Sequence, residues 1–414
     1  MSKTAKNSAY YVLSLICILY MFDYADRLVI TSFLDSIKLE WNVTDTQLGM
    51  LTGIVNLFVA IFVLPMSILV DRWSRKKMIA IMALFWSFAS LACAFAINYK
   101  QLLIFRAFTG LGEAAYASAA VALISKTFPR KNRARHIGIY NAAAPLGAGL
   151  GIMIGGQIAA SFGWRYSFGL VAFPGMILAL LFFTIRDYST LPLEDDNPDD
   201  LADSKPNSFG GIIRSINNLL HIKTLWYVYL AYALIIGVNT AMLDWSTMYF
   251  TRYFGLTQKL ASTISGGLAI SILVGAPIGG IVGDKLNRKY KNAYLLFSAL
   301  TTFMAAIALA FALLSNDLTV SLICFGLFGI FSVIYLAPIT TVIQNVVQPG
   351  MRAVAFGFNV LFMNLLGAFL FPIVIGKISD FVGLQRSLFL LPVLMLMAVM
   401  LFVGCLKQYC KDKK

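Results

Sequence analysis

The chain has 414 residues, of which 59% are hydrophobic and only 13% are charged, and its net charge is +14. A soluble globular domain carries about 25% charged residues, so the composition excludes a soluble protein and predicts one that has lipid as its main solvent. The excess of Lys and Arg is expected in cytoplasmic loops, where it fixes membrane topology, and it does not indicate a nucleic-acid partner. The five cysteines have no metal-ligand spacing and there are only two histidines, so we expect no metal site.

Apolar runs recur along the whole chain, each near the roughly 20 residues that a helix needs to cross a bilayer. They predict an all-α integral membrane protein with twelve transmembrane helices in two pseudo-symmetric six-helix bundles. Lys and Arg collect in the loops on the same side as both termini, which predicts cytoplasmic termini, and we expect a bacterial inner membrane. The predicted spans lie near 9–35, 44–70, 78–97, 101–124, 136–161, 166–185, 223–250, 257–283, 292–314, 318–344, 353–380 and 385–406.

The longest polar segment, over 186–222, separates the sixth and seventh spans. Its stretch "LEDDNPDDLADSKPNS" is acidic and contains prolines, as is typical of a solvated linker. Apolar residues at helical spacing follow it and predict a short amphipathic helix on the inner membrane surface. The chain is therefore predicted to contain an N-terminal bundle over 1–185, this linker, and a C-terminal bundle over 223–414.

The two halves of the chain resemble each other. The stretch "VDRWSRKK" follows the second span and "GDKLNRKY" follows the eighth. A constant offset pairs Asp71, Arg72, Arg75 and Lys76 with Asp284, Lys285, Arg288 and Lys289. Duplicated six-helix halves are typical of transporters whose substrate site lies between the halves near the membrane midplane.

These loops resemble the hallmark of the major facilitator superfamily, a Gly, an Asp–Arg/Lys pair, a second Gly and two basic residues. Ser67 and Ser74 stand at the glycine positions of the first copy, whereas the second copy begins with Gly280. The resemblance implies the major facilitator fold and a cytoplasmic latch between the halves. The alternative is a basic loop that only orients the protein. The implied latch residues are Asp71, Arg72, Arg75, Lys76, Asp284, Lys285 and Arg288.

Within that superfamily, several stretches look like the Spinster-like group of lysolipid and sphingolipid transporters. They are "DR" in the first helix, "FRAFTGLGEAAYASA" in the fourth, "AAPLGAGLG" in the fifth and "GWRYSFGLVAFPG" at the sixth. The "DR" pair and the spacing from Arg106 to Glu113 also resemble the anion:cation symporter group, which moves sugar acids and other organic anions. The stripe of Gly147, Gly151 and Gly155 predicts close helix packing.

Several charged residues interrupt the apolar spans. Arg106 and Glu113 are seven residues apart, so they lie on one face of the fourth helix, about 10 Å apart. Each such residue costs roughly 2.5–3.5 kcal/mol at the membrane centre, which makes it a candidate for function. The resemblance implies that Asp26 and Glu113 are the protonatable carboxylates, with Arg27 and Arg106 as charge partners or substrate contacts. The alternative is a static ion pair that fastens the first helix to the fourth.

Other polar residues in the spans are candidates for a cavity lining. Asp23 lies one turn before Arg27, where a local pair is easy. The participation of Asp23 and of Asp244 is left open. A cavity with many aromatic rings and few charges suits a solute with an apolar body and a charged head. The possible lining residues are Asp23, Tyr20, Tyr24, Tyr116, Tyr140, Asn239, Tyr335, Asn359 and Asn364.

These features predict a proton-coupled secondary active transporter, not an enzyme, that works by alternating access as a monomer. We expect no cofactor beyond the proton gradient. The Spinster-like resemblance implies a lysophospholipid-like or other amphipathic cargo, and the alternative is a proton-driven symporter of an organic anion such as a sugar acid or carboxylate. A membrane-embedded transferase is a remote alternative, because the sequence has no phosphate-cradling glycine loop and no catalytic cluster at a membrane surface. A transporter-like sensor is a further alternative, but it would need a folded soluble appendage, and the linker over 186–222 is too short to form one. Import or export, and symport or antiport, are left open.

Overall fold

A computed structural model describes residues 3–72, 75–114, 116–185, 219–290, 292–348 and 351–412. These residues form helices joined by short turns, and no strand occurs among them. Such an architecture is expected in lipid, because a helix satisfies its backbone hydrogen bonds internally where no water is available. The predicted amphipathic helix after the linker lies almost entirely outside the described residues.

Eight helices follow one another through the described residues of the first half. They are α1 (Lys3–Val29), α2 (Leu34–Trp41), α3 (Asp45–Arg72), α4 (Arg75–Ala94), α5 (Tyr99–Glu113), α6 (Tyr116–Thr127), α7 (Arg130–Phe162) and α8 (Trp164–Phe182). The first predicted span ends earlier than expected, at Val29, where a 3-10 turn over Ile30–Ser32 leads towards the short α2. The fourth predicted span consists of two helices, because α5 ends at Glu113.

Nine further helices form the part of the second half that the structure describes. They are α9 (Lys223–Phe254), α10 (Gln258–Asn287), α11 (Ala293–Leu314), α12 (Leu318–Phe331), α13 (Leu336–Val346), α14 (Arg352–Phe362), α15 (Leu370–Val382), α16 (Leu384–Leu388) and α17 (Leu390–Asp412). A π-helical segment, Met363–Phe369, joins α14 to α15. The tenth predicted span is interrupted between α12 and α13, and the eleventh contains the π-helical segment.

The helices have the lengths and surfaces of membrane spans. Ten described helical segments are long and apolar enough to cross a bilayer. The first predicted span corresponds to α1, and the fourth to α5 and α6. Large apolar side chains point outward, with Phe381 81% exposed and Phe95 73% exposed. Water would disfavour such a surface, whereas lipid accommodates it.

The described chain divides into two compact units. The described residues of the first unit fall within Met1–Leu191, Met242–Ile270 and Pro372–Leu384. The second unit takes its described residues from Pro192–Ala241, Ser271–Phe371 and Gln385–Lys414. The first unit thus contains the N-terminal helices together with the C-terminal part of α9, the N-terminal part of α10 and most of α15. The predicted division into bundles over 1–185 and 223–414 stays a prediction.

Small residues let the helices of the first unit approach closely. A Cβ atom at Gly147 of α7 would collide with the carbonyl of Met21 on α1. One turn further, a Cβ at Gly151 would collide with the backbone of Ala25. The predicted glycine stripe therefore packs directly against the backbone of α1, on both sides of the turn that carries Asp23.

Candidate functional site

The charged residues of the first and fourth predicted spans lie together in the first unit, on α1 and α5. Two glycines of α5 permit this arrangement. A Cβ at Gly110 would meet the backbone of Val55 on α3, and one at Gly112 would meet Trp86 on α4. Because α5 packs tightly on these two helices, its charged residues reach α1.

An ion pair joins α1 to α5. Arg27 Nη2 lies 2.6 Å from Glu113 Oε2, with the Glu113 side chain 0% exposed and the Arg27 side chain 16% exposed. Neither oxygen of Glu113 is aligned for a hydrogen bond, so the contact is mainly electrostatic. Arg27 also lies 4.0 Å from Asp23 Oδ2 in the predicted local pair, and it contacts the ring face of Tyr24 at 5.0 Å.

Arg106 is fully buried and binds the backbone of α1. Its Nη1 donates to the carbonyl of Asp26 at 3.1 Å, and its Nη2 donates to the carbonyl of Arg27 at 2.8 Å. The last carbonyls of a helix lack partners within the helix. The next two carbonyls accept from the hydroxyls of Thr31 and Ser32. Arg106 therefore completes the end of α1 and places a positive charge at its negative pole.

The other two carboxylates of the cluster are buried and incompletely satisfied. Asp26 is 2% exposed. Its Oδ1 accepts a hydrogen bond from Ser90 on α4, and its Oδ2 has no partner among the described residues. Asp23 is also 2% exposed, and its Oδ1 likewise has no described partner. We refer to Asp23, Asp26, Arg27, Arg106 and Glu113 as the charged cluster.

Four tyrosines on α1, α6 and α7 pack together beside α1. The ring of Tyr20 stacks on Tyr140 at 4.2 Å and on Tyr116 at 5.8 Å, and it meets Tyr24 edge-on at 5.1 Å. The Tyr116 hydroxyl donates to the carbonyl of Ile16 at 2.6 Å. The Tyr140 hydroxyl is buried without a partner among the described residues. We call Tyr20, Tyr24, Tyr116 and Tyr140 the tyrosine cluster.

The candidate lining residues of the second half lie in the second unit. The amide nitrogens of Asn239 and Asn364 donate to backbone carbonyls at 3.4 and 2.9 Å. Asn364 belongs to the π-helical segment, an irregularity that often marks functional positions. The hydroxyl of Tyr335 and the amide of Asn359 are buried without partners in the described part of the chain. Their role in lining a cavity stays a prediction.

The predicted latch loops are only partly described. Lys76 donates to the carbonyl of Ile185. Asp284 accepts a hydrogen bond from Tyr294 at 2.9 Å, within the second unit. Lys285 lies in the last turn of α10. The side chains of Asp71, Arg72 and Arg75 lie outside the described residues, and the latch, including Arg288, stays a prediction.

The first unit also contains an ionic cluster that the sequence did not predict. Arg252 near the end of α9 contacts Asp35 at 2.7 Å and Asp45 at 2.8 Å. The 3% exposed side chain of Asp45 also contacts Lys38 at 2.5 Å and accepts a hydrogen bond from Ser379 on α15 at 2.6 Å. We call this group the Arg252 cluster. It joins α2 and α3 of the first half to α9 and α15 of the second.

A further carboxylate strengthens the same junction. Asp380 on α15 accepts from the backbone N–H groups of Asp45 and Thr46, at 2.7 and 3.0 Å, and from the Thr46 hydroxyl at 2.6 Å. It thereby caps the N-terminus of α3 from a position far away in sequence. Contacts over such separations leave no signal in local sequence patterns, although the acidic residues around α2 were visible in the sequence.

A partly exposed ion pair joins α2 to α8. Glu40 accepts from Arg165 Nη1 and Nη2 at 3.0 and 2.7 Å and from Trp164 Nε1 at 2.7 Å. The Arg165 guanidinium lowers the pKa of Glu40, although partial burial opposes the shift. Like the pair of Arg27 and Glu113, this is an arginine–glutamate ion pair, but its side chains are more exposed to solvent. The two pairs therefore allow a comparison of the same interaction at different burial.

The fold and the charged spans together define a membrane transporter. The model of the Major Facilitator Superfamily matches residues 16–372, and the chain belongs to that superfamily. A hexuronate transporter of Bacillus subtilis (strain 168) is 28% identical, over 89% of this chain and 87% of that protein. A probable sphingolipid transporter, spinster homolog 1 of Arabidopsis thaliana, is 25% identical, over 94% of this chain and 87% of that protein.

Solved structures support the same fold. The crystal structure of a bacterial homologue of the human lysosomal transporter Spinster, in an inward-facing and unoccupied conformation, matches with a TM-score of 0.85 and 21% identity. The match covers 98% of both chains. The predicted major facilitator fold, the Spinster-like resemblance and the exclusion of an enzyme are thereby confirmed.

Proposed function

We propose that this protein is a proton-coupled secondary active transporter that works by alternating access. The observation that carries the proposal is the charge balance of the charged cluster. Three carboxylates, on Asp23, Asp26 and Glu113, accompany two guanidiniums, on Arg27 and Arg106, and all five residues are largely buried. An uncompensated buried charge is costly, so the cluster reaches neutrality by taking up one proton.

Proton uptake at this position changes the contact between two helices. An ionised Glu113 attracts Arg27, whereas a protonated Glu113 loses most of that attraction. Asp26 has one oxygen free of partners in the described structure and is the second candidate to carry the proton. A change in protonation therefore alters how strongly α1 is held on α5. In a protein with two conformations, such a change shifts their populations and couples the proton gradient to transport.

Glu113→Gln tests the coupling, and Glu40→Gln is a matched control, because both variants neutralise a glutamate that pairs with an arginine. Each protein is reconstituted in liposomes with an imposed pH gradient, and accumulation of radiolabelled lysophosphatidylglycerol and of glucuronate is measured. We expect Glu113→Gln to abolish accumulation driven by the gradient while exchange of solute across the membrane persists. Glu40→Gln should retain both activities. Undiminished gradient-driven accumulation by Glu113→Gln would overturn the proposed coupling.

We propose an amphipathic, lysophospholipid-like solute as the first candidate cargo. The tyrosine cluster supports it, because stacked rings beside a charged cluster suit a molecule with an apolar body and a charged head. The relatives named as sphingolipid transporters favour the same class. In the liposome experiment, this cargo predicts accumulation of lysophosphatidylglycerol and not of glucuronate.

An organic anion such as a sugar acid is the second candidate cargo. The hexuronate transporter of Bacillus subtilis, at 28% identity, favours it specifically. Arg27 would then bind the carboxylate of the substrate once Glu113 is protonated, because its other described carboxylate contact is the longer one to Asp23. Accumulation of glucuronate and not of lysophosphatidylglycerol would establish this alternative.

We infer further that the protein lies in a bacterial inner membrane with both termini in the cytoplasm and functions as a monomer. The concentration of Lys and Arg in the loops on one side supports this orientation. Labelling of single cysteines placed in the tails, with a reagent that does not cross membranes, tests it in intact cells. Labelling of either tail from outside would contradict the proposed topology.

A further inference from the structure

The Arg252 cluster is built from both halves of the chain. All three guanidinium nitrogens of Arg252, on α9, donate to carboxylates of the first half. Its Nε and Nη2 donate to Asp35 Oδ1 at 3.0 and 2.7 Å. Its Nη1 and Nη2 donate to the two oxygens of Asp45 at 2.8 and 3.1 Å. Together with Asp380, the second half thus supplies one cation and one anion to the region where α2 and α3 meet.

Two glycines bring α3 and α15 close enough for these contacts. A Cβ at Gly49 of α3 would collide with the backbone of α15, and a Cβ at Gly376 of α15 would collide with the carbonyl of Asp45. Such small residues let two helix backbones approach closely. Because neither glycine has a side chain that interlocks with the opposite helix, α3 and α15 can part at these points without repacking.

The Arg252 cluster lies at one end of a helix that is long enough to cross a membrane. Helix α3 begins at Asp45 and ends at Arg72, a residue of the first predicted latch loop. Its 28 residues span about 42 Å, which exceeds the roughly 30 Å of a hydrocarbon core. The cluster and the first latch loop are therefore on opposite sides of the membrane.

The ion pairs of the cluster suit a contact that opens and closes. The side chains of Arg252 and Asp35 are 28% and 30% exposed, so water can replace their contact at a small cost. The more deeply buried Asp45 also pairs with Lys38, which belongs to the first half as well. When Arg252 moves away, Asp45 therefore keeps a cation beside it.

The start of α3 is also satisfied from both halves. Asp380 of the second half accepts from the backbone N–H groups of Asp45 and Thr46. Within the first half, the N–H of Thr44 donates to Gln47 Oε1 at 2.9 Å, and the N–H of Gln47 donates to the Thr44 hydroxyl at 3.2 Å. This reciprocal capping box does not depend on Asp380. If the halves part here, only two N–H groups pass from a carboxylate to water.

We propose that the Arg252 cluster and Asp380 form an ionic lock that closes the transporter on the membrane side opposite to the first latch loop and opens in each transport cycle. This inference rests on the proposed alternating access. The contacts exist only while the two halves meet at this end, so they stabilise the closed conformation and not the open one. Breaking the lock therefore shifts the population towards the conformation that is open here and closed at the latch.

Hydrogen–deuterium exchange tests the lock without any transported solute or pH gradient. Exchange is followed by mass spectrometry for the full-length protein in phosphatidylcholine nanodiscs. We expect Arg252→Gln to speed exchange over 45–52 and 376–382 by about tenfold, the effect of losing one charge-assisted contact, and to slow exchange over 283–290, the second latch loop. Arg165→Gln is the matched control, because this arginine makes its ion pair inside the first half. It should leave all three segments unchanged.

Slower exchange over 283–290 is a result that a purely structural ion pair would not give, because local loosening does not close a distant loop. The proposal is overturned if Arg252→Gln leaves 283–290 unchanged, or if it behaves like Arg165→Gln. Asp380→Ala alters an exposed residue and decides by the same criteria if Arg252→Gln does not fold. If Glu113→Gln loses coupling while the latch segment does not change, only the lock is wrong. If the latch segment slows while Glu113→Gln keeps its gradient-driven accumulation, only the proton coupling is wrong.

Discussion

Replacing Arg27 with Met is expected to destabilise the protein more than replacing Glu113 with Gln, although both changes break one ion pair. The Glu113 side chain is 0% exposed and its ion-pair partner is Arg27. Arg27 is 16% exposed and retains a contact with Asp23 at 4.0 Å. Loss of Arg27 therefore leaves a buried carboxylate, whereas loss of Glu113 leaves a cation with some water and a second carboxylate.

The magnitude follows from the geometry of the pair. The two atoms in contact are 2.6 Å apart, which places the charge centres about 4 Å apart, and an effective dielectric constant of about 20 then gives about 4 kcal/mol. Removing one partner of a buried pair typically costs about 3–5 kcal/mol. We expect a loss of unfolding free energy in that range for Arg27→Met. Proton uptake by Glu113 would neutralise the carboxylate that is left without a partner and would bring the loss to the lower end of the range. For Glu113→Gln we expect about 1–3 kcal/mol.

A double-mutant cycle measures the coupling directly. Equilibrium unfolding of the wild type, the two single variants and the double variant is followed in mixed micelles as the fraction of denaturing surfactant rises. The double variant should be more stable than the sum of the single effects predicts, by about 3 kcal/mol. The partly exposed pair of Glu40 and Arg165 provides the matched cycle, with an expected coupling below about 1 kcal/mol.

Equal couplings in the two cycles would refute this reasoning. The pair of Arg27 and Glu113 would then behave as a solvated contact, and the burial that supports a proton-dependent switch would not exist in the membrane protein. A large coupling together with full gradient-driven transport by Glu113→Gln would instead mean that the pair is a static fastening of α1 to α5.

Two further predictions concern the ion pairs outside the charged cluster. Arg252→Gln should lower the free energy of unfolding by about 2 kcal/mol, because Asp45 keeps its contacts with Lys38 and Ser379. The same micelle titration measures it, and a loss above that of Arg27→Met would contradict it. The hydrogen bonds that lower the pKa of Glu40 in the folded protein stabilise the fold at pH values above about 4.3, which is the ordinary pKa of a glutamate in an unfolded chain. The stability difference between wild type and Glu40→Gln should therefore shrink on acidification through that range, and a difference independent of pH would contradict the lowered pKa.

Much of the fold could be predicted from composition and periodicity, because each span is a local property of the chain. A run of apolar residues must form a helix in lipid, whatever it later packs against. The helix breaks were not predictable in this way. The 3-10 turn after Val29, for example, occurs where the side chains of Arg106, Thr31 and Ser32 satisfy the carbonyls at the end of α1.

The residues of the candidate site could be predicted from the sequence, but most of their contacts could not. A charged residue in an apolar span has a high free-energy cost of insertion, which makes it a candidate for function. The members of the charged cluster could therefore be named before any contact was known. The local pair of Asp23 and Arg27 could be named as well. The hydrogen-bond partners of Arg106 could not. It was expected to be a charge partner of a carboxylate or a substrate contact, and its guanidinium donates to two backbone carbonyls at the end of α1. Such a partner has no side chain that a sequence pattern could display.

The sequence by itself determined the membrane class, the positions of the spans and the identities of the charged residues, because these depend on local hydrophobicity and its interruptions. Only the tertiary structure decided which charges from distant parts of the chain meet. Arg252 and Asp45, for example, are 207 positions apart. Whether a carboxylate remains ionised depends on the groups within a few ångströms of it, and helix packing selects those groups from distant parts of the chain.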